Sequence, residues 1–544
     1  MKSVIKGISG NIVDVLNSRI YPGTVEVRDG RIASVTKERK KYGTFILPGL
    51  VDSHVHIESS MLVPSEFARL AVRHGTVAIV SDPHEIANVL GMEGVNYMID
   101  NGRTVPFWFY FGAPSCVPAT PFETSGARIG TEEVDRLLKR SDIKYLSEMM
   151  NFPGVLNSDP EVMAKIGLAR KYGKPIDGHA PGLRGQALEK YIAAGISTDH
   201  ETLEREEALE KLKLGMKILI REGSAAKSLD AFAGLIEDYP DQCLFCSDDK
   251  HPDDLALGHI NELVKRALEI GIDRMKVLRC ACVNPVRHYG LEVGLLQEGD
   301  SADFIEVDDL ESFHVLRTFI QGRPVAERGK ALIPQVAPKT INNFQARRKQ
   351  LSDFSVKKAG ERMEVIEAFD GQLFTNRLSV APRIADGRVV SDTGQDILKI
   401  AVVNRYQDAP PAIGFIRGFG LKKGAIASSV AHDSHNIIAV GVTDEAICEA
   451  VNLIIEHQGG VAVVDDNEKG LLPLPVAGIM TAQDGFEAAR LYSELDKLAK
   501  QLGSKLHAPF MTLSFMALLV IPRIKLSDKG LFDGERFRFI NLFG

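Results

Sequence analysis

Between about residues 47 and 290, short apolar runs alternate with helix-period segments, and this rhythm constrains the chain more than any other feature. The runs fall at residues 46–55, 75–81, 106–112, 143–149, 175–178, 196–199, 216–220 and 243–247. Strands separated by helical patterns indicate repeated βα units and a parallel sheet. Eight such units in about 240 residues is the usual size of a (β/α)8 TIM barrel. Periodicity does not separate a closed barrel from an open, doubly wound sheet, so both architectures stay open on this ground.

The flanks have a different texture. Residues 24–27 and 32–35 alternate apolar and polar around Asp29-Gly30, a hairpin signal. The same pattern returns at 302–307 and at 318–325 around Gln321-Gly322. These two segments predict a small composite β-sandwich domain built from residues 1–46 plus 291–338, with the barrel, 47–290, inserted between them. A polar stretch at 339–353 reads as a helical linker. Beyond it, 354–544 mixes alternating strands (397–403, 460–464) with helices (445–455, 483–501), an additional C-terminal α+β domain. Leu472-Pro473-Leu474-Pro475 reads as an extended connection, because each proline biases its predecessor away from the helical region.

Composition narrows the setting. With 65 basic and 72 acidic residues the net charge is −7, which argues against a chain built to coat nucleic acid or an anionic membrane. No basic patch with interleaved aromatics is visible, and Trp108 is the single tryptophan. The longest apolar stretch, 509–522, is broken by Thr512 and Ser514 and is too short to span a bilayer. No secretory signal is visible, and six cysteines in a chain of 544 residues make no disulfide framework. The expectation is a cytoplasmic, multidomain protein.

Histidine placement carries the chemistry. His54 and His56 close the first run, and i, i+2 side chains on a strand share a face. Alone, this pattern is more often a polar strand end than a ligand pair. The other strand ends change the balance. The fourth ends Ser147-Glu148-Met149, the fifth Gly178-His179, the sixth Asp199-His200-Glu201 and the eighth Ser247-Asp248-Asp249. Four histidines and several carboxylates thus gather where a barrel's active face lies. They are donors that suit borderline divalent metals. Alternation predicts that Asp249 faces away from Asp248. Cys243 and Cys246 form a CxxC, but on a strand they face opposite sides and read as core thiols, as do Cys280 and Cys282. Asp82, His84 and Glu85 end the second strand beside the histidine pair. His432, Asp433 and His435 form a second polar cluster that either closes over the barrel mouth or lies in a solvated loop. His74, His251, His259, His288, His314, His457 and His507 read as structural.

These residues resemble the amidohydrolase superfamily and, within it, the adenine deaminase family. The likeness runs through residues 47–60 (LPGLVDSHVHIESS), 81–91 (SDPHEIANVLG), 178–181 (GHAP) and 246–249 (CSDD), and on to 431–436 (AHDSHN). It implies that His54, His56 and Asp248 ligate one metal, that His179 and His200 ligate a second, and that Glu148 bridges the two. Many relatives use a carboxylated lysine as this bridge; Lys144 has the same parity as Glu148 but lies four residues earlier, towards the wrong end of the barrel. Two divalent ions per chain are implied, manganese first, with iron or zinc also suited to the donors. The implied activity is hydrolysis of adenine to hypoxanthine and ammonia in purine salvage. Asp248 would be the proton shuttle, and Glu58, Glu85 or Asp82, in that order, would serve purine N1. A homodimer is the family expectation. Rival readings are another amidohydrolase acting on a cyclic amide, a non-catalytic barrel used as a scaffold, and an editor of nucleic-acid bases.

Overall fold

The computed structural model describes residues 4–466 and 468–544. All eight expected barrel strands are present: β1 (Leu50–Val55), β2 (Thr76–Ser81), β3 (Trp108–Ala113), β4 (Ile143–Met149), β5 (Ile176–Gly178), β6 (Thr198–Asp199), β7 (Lys217–Arg221) and β8 (Cys243–Cys246). β1 to β5 pair in parallel order, as do β6 to β8. The Ser197 N–H donates to the Ile176 carbonyl at 2.9 Å, joining the two groups. On the other side Val55 bridges Asp248, with Asp248 N–H to His54 O at 3.0 Å and His56 N–H to Asp248 O at 3.2 Å. The sheet is therefore closed, and the doubly wound alternative falls. Every residue of β1, β2 and β8 is buried, as parallel strands wrapped by helices require.

The first apolar run is two strands. Phe45–Pro48 pairs antiparallel with Phe304–Val307 and parallel with Val4–Asp14, while Leu50–Val55 enters the barrel. Gly49 is the joint, where a Cβ would lie 2.4 Å from the Val77 methyls. The small domain is one continuous eight-stranded sheet that takes strands from both sides of the barrel segment. Its two foreseen hairpins are there, with positive φ at Asp29, Gly30, Gln321 and Gly322. The edge strand Arg31–Lys37 is tied back by Ile32 N–H to Asp300 O at 2.9 Å. The sheet curls over a core that includes Ile12, Val25, Ile46, Phe304 and Phe319.

The linker differs from its sequence reading. Residues 339–350 contain no helix, and only Leu351–Phe354 forms a 3-10 turn. The reason is distant partners: the Arg405 carbonyl accepts both the Gln345 and Ala346 N–H groups, and Ile341 O accepts the Ala477 N–H. Polar composition alone could not reveal partners 59 or more residues away. The C-terminal region forms an eight-stranded sheet, its centre Ala412–Arg417, Ile397–Val403 and Ile437–Gly441. Helix Asp444–His457 packs on it, capped by Thr443, whose side chain accepts the Ala446 N–H. Helix Gly485–Gln501 docks on the barrel. Gly485 N–H donates to Glu66 at 2.8 Å, and Arg69 pairs with Asp484 at 2.7 Å. The first half of the longest apolar stretch is the short buried helix Pro509–Phe515, and no helix among the described residues is long and apolar enough to cross a membrane.

Gly49→Ala tests the joint. The added methyl must displace Val77, and overpacking of this kind costs about 1–3 kcal/mol. A lowered apparent Tm and a lower denaturant midpoint are expected; an unchanged unfolding profile would show that the joint tolerates a side chain.

Candidate metal centre

Because the strands are parallel, their carboxyl ends meet at one rim. His54, in β1, and His56, just after it, are 0% and 3% exposed, with Nε2 atoms 3.2 Å apart. Asp248 Oδ1 lies 3.5 Å from His54 Nε2 and 3.4 Å from His56 Nε2. Glu148, from β4, faces both halves of the cluster. Its Oε1 is 3.2 Å from His56 Nε2 and 3.9 Å from His54 Nε2. Its Oε2 is 2.6 Å from His179 Nδ1 and 3.2 Å from His200 Nε2. The six residues converge, one carboxylate oxygen to each side. Lys144 does not join them; it binds Glu292 at 3.0 Å.

Burial raises the carboxyl groups, yet their neighbours win. His179 and His200 hold Glu148 well below the ordinary carboxylate range. Arg221, His54 and His56 do the same for Asp248. In return, against the desolvation of burial, Glu148 pushes His200 up to about 9. Cation binding to His200 therefore expels a proton. The donor set fits divalent ions: four buried imidazoles and two ionised carboxylates, whose ligand atoms lie close together.

The second-strand residues surround the same point. His84 Nδ1 donates to Asp82 at 2.9 Å and lies 3.6 Å from Glu148. Glu85 is gripped by His432 and His435, which reach across from the C-terminal domain, and Asp433 comes within 3.8 Å of His84. Of the two alternatives for the His432–His435 cluster, closure over the mouth is the observed one. Burial would lower His432, but Glu85 and Asp249 push it up to about 9. Glu58 sits behind this layer, accepting the Ile86 N–H at 3.1 Å, and burial lifts it to about 7.

One strand-based expectation fails. β8 ends at Cys246, and Asp248 has φ +54°, in the left-handed region. Alternation stops there, so Asp249 does not face away. It is turned towards the same cavity, where it accepts the Ser59 hydroxyl at 2.5 Å. The cysteine reading is consistent with the structure: Cys243 and Cys246 are free and buried in different apolar clusters.

Sequence reasoning passed over Arg221, whose guanidinium, 7% exposed, pairs with both Glu201 and Asp248. A charged residue at the carboxyl end of a barrel strand was a usable signal. It also passed over Leu373, Phe515 and Leu518, which roof the cavity from the C-terminal domain. Being apolar, they gave no signal. The Phe515 ring stacks on His432 with centroids 5.2 Å apart.

Comparison with known proteins agrees with this architecture. Residues 45–325 match the amidohydrolase family and residues 372–538 the adenine deaminase C-terminal domain. The adenine deaminase of Sulfurovum sp. is 58% identical over 535 residues, covering 98% of this chain and 99% of the relative. Those of Methanosarcina mazei and Borreliella burgdorferi are 53% and 47% identical, covering 99% and 98% of this chain and 100% and 99% of the relatives. Among solved structures, β-aspartyl dipeptidase from Fervidobacterium islandicum is similar at TM-score 0.48 and 18% identity, covering 61% of this chain and 98% of its own. The chain belongs to the adenine deaminase family of amidohydrolases.

Proposed function

We propose that this protein hydrolyses adenine to hypoxanthine and ammonia. The observation that carries the reading is the convergence of His54, His56, Glu148, His179, His200 and Asp248 on one rim. It is supported by full-length similarity to adenine deaminases. His54, His56 and Asp248 would hold one ion, His179 and His200 the other, with Glu148 shared. Manganese is the metal we favour, in a homodimeric cytoplasmic enzyme of purine salvage. Divalent ions held by these residues would acidify a water molecule and so would supply hydroxide near neutral pH.

The remaining steps belong to the protein. Arg221 holds Asp248 Oδ2, which leaves Oδ1 turned towards the histidines. Asp248 takes a proton from the attacking water and passes it to the exocyclic N6, which leaves as ammonia. The second water proton ends on N1. For N1 we rank Glu85 ahead of Glu58. Glu85 lines the cavity and shares a proton with His432, whereas Glu58 is turned to the Ile86 backbone. Asp82 is committed to His84 and ranks last. The apolar roof of Leu373, Phe515 and Leu518 excludes bulk water from the ligand cluster.

A panel of purines and pyrimidines tests the activity. Ammonia release from adenine, with little or none from adenosine, and loss of turnover on chelation are the expected outcomes. Faster opening of a cyclic amide would replace this reading with the other amidohydrolase chemistry, and metal-free, inactive protein would favour the scaffold.

Asp248→Asn separates coordination from proton transfer. The amide keeps a carbonyl ligand but is neither a useful acid nor a useful base near neutral pH. Metal content close to wild type with kcat reduced by roughly two orders of magnitude is expected. Full activity in this variant would remove Asp248 from the mechanism.

A further inference from the structure

The cavity lined by His56, Glu148, His179, His200 and Asp248 is only about 30 Å³, room for water but not for a purine ring. Beside it lies a second cavity of about 360 Å³, within the range of small-molecule sites. Glu201, Arg221 and Leu373 line both, so these three form the partition. Phe152 and Phe232 come from the barrel side of the larger cavity, and aromatic side chains suit a planar base. Its rim carries Leu203, Phe374 and Phe537, exposed at 57%, 42% and 43%. Large apolar side chains left in water around a cavity mark a binding site more often than chance exposure.

The partition has one apolar member, and its support is unusual. Leu373 lies in the connection between strands Met363–Glu367 and Asn376–Val380. Its carbonyl accepts from Lys525 Nζ, and the same ammonium donates to Phe515 O at 3.0 Å. Lys525 is 0% exposed and has no ion-pair partner among the described residues. Burial alone pushes it down to about 7. An amine desolvated without a counter-charge is unfavourable unless its hydrogen bonds matter. Here they fix the spacing of Leu373 and Phe515, two walls of the metal-ligand cavity.

We propose that the larger cavity is an antechamber that receives the purine base, that Leu373 is the gate between it and the ligand cluster, and that Lys525 is the positioning residue that sets the gate. This rests on the reading of the protein as a purine deaminase. Nothing else in the partition can yield at low cost, since Glu201 and Arg221 are locked in an ion pair that also holds Asp248.

Three variants test it, assayed with adenine beside the wild type and with metal content measured throughout. Leu373→Trp fills the passage, and kcat/KM should fall roughly 100-fold, the scale of a misplaced substrate, with metal unchanged. Ala231→Trp, at an exposed position on the outer wall, should raise KM about tenfold, or 1.4 kcal/mol of binding, and leave kcat alone. Lys525→Met should raise KM more than it lowers kcat, with Lys525→Arg restoring part of the loss. A merely structural lysine would lower kcat with the folded fraction and leave KM in place. If Leu373→Trp does not fold, Ala231→Trp and Lys525→Met decide. Wild-type kcat/KM in folded Leu373→Trp or Ala231→Trp would overturn the proposal, as would metal loss in Leu373→Trp or an unchanged KM in Lys525→Met. A wild type that leaves adenine untouched would instead sink the deaminase reading.

Discussion

The seam between β1 and β8 is the constraint on which the rest depends. The hydrogen bonds that close the barrel run through His54, His56 and Asp248 themselves. Closure and ligand convergence are thus one event. Below the seam Asp52 accepts from Ser247 N–H at 3.1 Å and from His259 Nε2 at 2.9 Å, and His259 Nδ1 meets Thr76 at 2.7 Å. This buried network holds the register. A slip of one residue would send the His54 imidazole of β1 to the helical face of the sheet, because side chains alternate along a strand.

Around that seam the molecule concentrates charge that burial should disfavour. It does so by pairing across domains. Glu85 comes from the barrel, while His432 and His435 come from the C-terminal sheet. Arg405, 0% exposed, fixes the loop that carries them, donating to His435 O at 3.3 Å and Ala477 O at 2.7 Å. Tyr406 adds a hydroxyl bond to Ser434 O at 2.6 Å. Removing one partner from such a network leaves an uncompensated buried charge, which explains why so many polar groups appear together here.

What was legible in the sequence follows from what is local. The eight strands and the alternation of His54 and His56 are set within a few residues, and the two hairpins by Asp29-Gly30 and Gln321-Gly322. Glu148 and the histidines stood out because strand ends were legible. Asp249 was misplaced because a left-handed residue before it ended the alternation. The 339–350 segment read as helical because its acceptors, Arg405 O among them, lie far along the chain. Arg221, Leu373 and Phe515 gain meaning only from neighbours brought by other domains, and an apolar side chain in a roof has the same letter as one in a core.

The composite small sheet bears on how the chain comes into being. Phe45–Pro48 pairs with Val4–Asp14 soon after synthesis, but its other edge waits for Phe304–Val307, some 260 residues later. At ribosomal rates of about 5–20 residues per second, that edge stays open for tens of seconds. An unpaired edge is a template for pairing with other chains. The nascent N-terminal strands therefore wait until the whole barrel segment has been synthesised before their own sheet can be completed, and the topology that brings both flanks together leaves the half-made sheet with an exposed edge.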